Sequence, residues 1–110
     1  MSHHRLILIY FVRYFFEIAW KVNHVIFILL IMFILGALVI SKVEGIGVAN
    51  SIYFTFITGF TIGYGDITPN TIIGKVISLI IGITGIIFTG IVVAISVRAL
   101  SKAFEHENKK

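Results

Sequence analysis

The chain has 110 residues, of which 58% are hydrophobic and 13% charged, and its mean hydropathy is +1.05. That balance excludes an ordinary soluble domain, and the lack of cysteine excludes disulfides while leaving the redox compartment open. The net charge of +4 matters less than where the charges fall, because in a membrane protein their location sets orientation.

Residues 1–24 read as a cytoplasmic N-terminal segment. From Arg5 to Lys21 the pattern predicts a helix with no Gly or Pro. Tyr10, Arg13, Glu17, Trp20, Lys21 and His24 fall on one stripe, and Leu6, Ile7, Phe11, Phe15, Ile18 and Val22 lie largely away from it. The segment is too short and too charged to span a bilayer, which takes about 20 mostly apolar residues. An amphipathic helix along the cytoplasmic face fits better, and a continuation into the next helix is the alternative. Arg13 and Glu17 interrupt the apolar run, so no cleaved signal peptide is expected. His3, His4, His24 and His106 have no metal-ligand spacing.

An outer helix is expected over residues 22–42. Val25 to Ile40 is apolar throughout except at Gly36, where a close helix contact is the natural reading. Trp20 and Lys21 mark the cytoplasmic boundary, and Lys42 and Glu44 the far end.

Residues 45–65 carry no charge and imitate a third span. Glycines at 45, 47, 59, 63 and 65 make a continuous helix there unfavourable. Charge also argues against it. With two spans, Arg5, Arg13, Lys21, Arg98, Lys102, Lys109 and Lys110 share one side, and the other side holds Lys42 and Lys75 with Glu44 and Asp66. The segment therefore enters and returns on one side, as a short helix over residues 50–60, capped by Asn50 or Ser51, and a non-helical return. Non-helical backbone at membrane depth must be buried in protein or line a watery path, which itself points to a pore.

The return contains Thr61-Ile62-Gly63-Tyr64-Gly65-Asp66, preceded by Tyr53-Phe54-Thr55-Phe56-Ile57-Thr58 and followed by Ile67-Thr68-Pro69. This string resembles the selectivity-filter signature of potassium channels, and its flanks resemble their pore helix and outer mouth. A phosphate loop is excluded, because no Gly-Lys-Ser/Thr follows and no βαβ pattern surrounds it. The resemblance implies that the carbonyls of Thr61, Ile62, Gly63 and Tyr64, with the Thr61 hydroxyl, replace the water shed by a potassium ion. Gly63 and Gly65 suit a backbone of alternating handedness, since glycine reaches positive φ without steric cost. One chain supplies one oxygen per ring, so the reading implies a homotetramer. Gly65, Asp66 and Thr58 are the expected filter support. Departures from common family patterns fall at Phe60, where many members have a second threonine, and at Ile57 and Phe54, where some have a glutamate and a tryptophan. Tyr64 is left to Thr58, water or packing.

An inner helix is expected over residues 72–98, uncharged from Val76 to Val97. The resemblance puts a gating hinge at Gly85, with Gly82 or Gly90 as alternatives and plain packing as the other explanation. Ile86, Thr89, Val93, Ala94 and Val97 share a helical face, which the resemblance turns toward a central cavity and, at Val93 and Val97, a hydrophobic gate. Residues 99–110 read as a short basic cytoplasmic tail near anionic lipids. No helix carries arginines at every third position, so no voltage sensor is expected.

The expected fold is an all-α membrane protein. Two transmembrane helices flank a re-entrant pore helix and filter loop (pore domain 25–98, filter 61–66), preceded by the interfacial helix. The expected function is passive potassium conduction through a homotetramer, with K+ as permeant ion rather than bound cofactor. No nucleic acid, small-molecule substrate or enzymatic centre is expected, and both termini are expected in the cytoplasm of a prokaryotic cell. The alternatives are a less selective cation channel, an excised pore module of a larger gated channel, and a non-conducting scaffold or regulatory subunit.

Overall fold

The computed structural model describes residues 3–109, and these residues form four helices and no strand. They are α1 (His3–Lys21), α2 (Asn23–Glu44), α3 (Val48–Gly59) and α4 (Ile72–Asn108). Helices α2 and α4 are long and apolar enough to cross a membrane. Only 28% and 17% of their most apolar stretches are buried, which is too little for core helices of a soluble domain.

The residues form two compact units, 27–89 and 1–26 with 90–110. In the first, Phe33, Ile40, Phe54 and Ile81 make the buried core, drawn from α2, α3 and α4. Around Phe33 stand the rings of Phe56, Phe60 and Phe88, at centroid separations of 5.4, 6.1 and 6.0 Å. Gly36 lets Ile81 of α4 approach α2, since a Cβ there would lie 3.0 Å from the Ile81 side chain. The Gly36 contact is therefore a real feature of the helix pair.

The other unit joins α1 to the last turns of α4. Ile95 is 5% exposed and Ala99 and Ala103 are fully buried, so small side chains at i,i+4 spacing give α1 a seam to lie in. Tyr10, expected on the polar stripe of α1, is instead buried, with its ring 4.2 Å from that of His106. The Tyr14 hydroxyl and His106 Nδ1 share a 2.8 Å hydrogen bond, and the Lys102 ammonium lies 5.7 Å from the Tyr14 ring centre. The break between α1 and α2 is a single turn at Val22, whose N–H reaches the carbonyls of Ile18 and Ala19 at 3.3 Å each.

Two boundaries differ from expectation. The inner helix does not end at residue 98 before a separate basic tail but continues to Asn108, because no Gly or Pro in 99–108 breaks it and Ala99 and Ala103 are buried. The helix expected over 50–60 begins at Val48, and neither Asn50 nor Ser51 caps it. Gly47 takes the cap position with φ 87°, a conformation open to glycine. Asn50 and Ser51 sit inside the helix, and their side chains donate back to the carbonyls of Ile46 (3.0 Å) and Gly47 (2.7 Å). Lys110 of the expected tail lies outside the described residues, as do Met1 and Ser2.

Candidate functional site

The site is built on the end of α3 and the non-helical segment that returns to α4. The last turn of α3 holds the start of this segment by main-chain hydrogen bonds. Thr61 N–H donates to Thr58 O at 3.1 Å, and Ile62 and Gly63 N–H both donate to Ile57 O, at 2.9 and 3.1 Å. Thr58 takes part through its carbonyl, which accepts from Thr61 N–H. No Thr58–Tyr64 hydrogen bond forms among the described residues, and Tyr64 is 69% exposed.

Backbone handedness alternates through the motif. Gly63 and Gly65 have φ of 57° and 82°, and Thr61 joins them at 62°. Glycine adopts that region freely, whereas a β-branched residue there is a genuine outlier. The sequence pattern pointed to the two glycines and gave no sign of Thr61. Every residue from Phe60 to Asp66 is exposed on the single chain, including Ile62 at 49%.

Asp66 is anchored by Tyr53, which the sequence placed only in the expected pore helix. The Tyr53 hydroxyl donates to Asp66 Oδ2 at 2.9 Å, and donating that bond pushes the Tyr53 phenol above its ordinary pKa, with partial desolvation and the nearby Asp66 and Tyr64 adding. The Ile57 position cannot supply such a bond, and Tyr53 does so from one turn earlier on α3.

A second anchor, unmarked by any local pattern, is Glu44 at the end of α2. Its carboxylate accepts from the N–H groups of Asn70 (2.8 Å) and Thr71 (2.9 Å) and from the Thr71 hydroxyl. Thr71 in turn caps α4, its Oγ1 accepting from Gly74 N–H at 2.9 Å. The return segment is thus held at one end by α3 and at the other by α2.

Ile86, Thr89, Val93, Ala94 and Val97 are all exposed along α4. Gly85 is buried, and a Cβ there would lie 2.5 Å from the Gly59 carbonyl carbon. Helix α4 is continuous through Gly85. Among the described residues no group of three or more His, Asp and Glu side chains could hold a metal ion.

The family model described as "Ion channel" matches residues 24–102, which is most of the chain. The chain belongs to the ion channel family. That family comprises channels rather than enzymes, and the two apolar helices fit a membrane protein. The chain is 39% identical over 59 residues to the intermediate conductance calcium-activated potassium channel protein 4 of Rattus norvegicus, covering 52% of this chain and 14% of the relative. It is 41% identical over 44 residues to the probable potassium channel protein 2 of Methanocaldococcus jannaschii, covering 40% of this chain and 13% of the relative. It is 33% identical over 60 residues to the human A-type voltage-gated potassium channel KCND3, covering 54% of this chain and 9% of the relative. The chain thus spans less than a sixth of the length of these relatives. No solved structure matches significantly.

Proposed function

We propose that four copies of this chain surround an axis and conduct potassium ions passively, with residues 61–66 as the selectivity filter. The observation that carries this is the exposed, non-helical run from Phe60 to Asp66 between two candidate spans. Unpaired main-chain groups cannot face lipid, so this run must meet further protein or a watery path. The alternating signs of φ at Thr61, Gly63 and Gly65 suit a strip that presents successive carbonyls to one side. The potassium channels named among the relatives support the choice of ion.

In the assembled channel the carbonyls of Thr61, Ile62, Gly63 and Tyr64 and the Thr61 hydroxyl replace the ion's hydration shell. Helix α3 ends just before these residues, so its partly negative C-terminus favours a cation there. The exposed face of Ile86, Thr89, Val93 and Val97 lines the cavity and, in its lower part, a gate that closes by dewetting. Both termini lie in the cytoplasm of a prokaryotic cell, with Arg98, Lys102 and Lys109 near anionic lipids.

A second reading is a pore module of a larger gated channel, which the small share of each relative's length favours. Purified chain in liposomes loaded with K+ is expected to accumulate rubidium from outside, with Na+ a poor competitor. Equal competition by Na+ would replace potassium selectivity with a general cation pathway. No uptake by a protein that forms tetramers would leave a scaffold.

A further inference from the structure

A glycine inside a helix costs about 1 kcal/mol relative to alanine, so α4 needs a reason for each of its glycines. Gly82 and Gly90 have open space where a side chain would go. Gly74 faces the side chains of Glu44 and Thr71. Gly85 alone in α4 faces backbone. A Cβ there would fall well inside contact distance of the Gly59 carbonyl oxygen, 2.5 Å from its carbon and 2.6 Å from its Cα. A side-chain end can rotate away from such a clash; a peptide group cannot.

Gly59 has no room to retreat. Where its own side chain would be, the Phe33 ring of α2 sits, with atoms 2.6 and 2.7 Å from the position of a Cβ. The end of α3 therefore passes between an aromatic ring of α2 and the bare backbone of α4. Thr61, two residues on, is tied to the same turn of α3, as are Ile62 and Gly63 through Ile57 O. Any shift of Gly59 is carried into those residues.

We infer that Gly85 is a positioning residue that keys the filter to the inner helix by a backbone contact with Gly59. The inference rests on reading residues 61–66 as a filter. Gly90, with open space around it, is free of that constraint.

The test compares tetramer assembly, rubidium uptake and Na+ competition in liposomes for wild type, Gly85→Ala, Gly90→Ala, Phe33→Leu and the double variant Phe33→Leu/Gly85→Ala. Gly85→Ala is expected either to lose at least about tenfold in preference for rubidium over Na+ or to fail to assemble, the scale of coupling between groups in contact. Gly90→Ala is expected to retain the wild-type preference. Phe33→Leu gives Gly59 room on its other side, so the double variant is expected to recover assembly and preference toward the level of Phe33→Leu alone. Gly85→Ala with wild-type preference, even with altered open probability, overturns the inference. So does a damaged Gly85→Ala that Phe33→Leu fails to rescue. Absence of uptake in the wild type would instead refute the filter reading itself.

Discussion

Thr55 is fully buried in α3, and its hydroxyl has no hydrogen-bond partner among the described residues. Such a group loses its bonds to water and gains nothing in return, at a cost of about 1–3 kcal/mol. Valine has nearly the same shape and no polar atom. Thr55→Val is therefore expected to stabilise the protein by about 1 kcal/mol, read by denaturation in detergent with loss of helical signal. A clear loss of stability would mean that the hydroxyl acquires a partner once copies assemble. Thr61 presents a different tension. Its φ of 62° is a conformation that costs about 1–3 kcal/mol for a residue with a side chain, and such strain persists only where the surroundings enforce it. The bonds from Thr61, Ile62 and Gly63 to the last turn of α3 are that enforcement. Glycine would relieve the strain but remove the hydroxyl that the proposed innermost ring of oxygens requires.

Both membrane-length helices were legible, because long uncharged apolar runs leave few alternatives to α2 and α4. The positive φ at Gly63 and Gly65 was legible for a similar reason, since glycines at that spacing have a limited set of uses. What escaped was everything that depends on distant partners. The Asn50–Ser51 pair offers the usual signal of a helix start, yet Gly47 takes the cap and both side chains fold back on the preceding carbonyls. Basic residues after Val97 suggested a short separate tail, whereas α4 continues through the buried Ala99 and Ala103. Glu44 read as a boundary charge, but it reaches 26 and 27 residues along the chain to Asn70 and Thr71. That reach has a consequence for α4. With Glu44 in place, the two N–H groups before the helix and the Thr71 side chain are fixed, and Thr71 can cap Gly74. Glu44→Ala is expected to speed hydrogen exchange at the amides of Asn70, Thr71 and Gly74 and to leave the middle of α4 unchanged. Glu44→Gln, which still accepts through one oxygen, should fall between. Unchanged exchange at all three amides would show that α4 starts without help from α2.

A single copy of this chain leaves Ile62, Tyr64, Ile86 and Val97 exposed, each by 49% or more. For α4 alone that is no anomaly, because lipid tails accept apolar side chains. Residues 61–66 are different, since their main-chain groups need polar partners wherever they lie. If four copies bring these strips together, each strip faces its own duplicates across a narrow space, and carbonyl oxygens of equal charge crowd one another. A dehydrated cation of the right size offsets that repulsion, so the ion becomes part of what holds the assembly together. A ligand that binds only the assembled state stabilises it by an amount set by its concentration relative to its Kd, about 2.7 kcal/mol at a hundredfold excess. The tetramer in detergent is therefore expected to dissociate at a temperature several degrees higher in KCl than in NaCl of equal ionic strength, as followed by a native gel after heating. Rubidium should substitute for potassium, and lithium should not. Identical dissociation temperatures in all four salts would mean that no site selective among these ions forms between the copies, and the conduction path would have to be sought elsewhere in the chain.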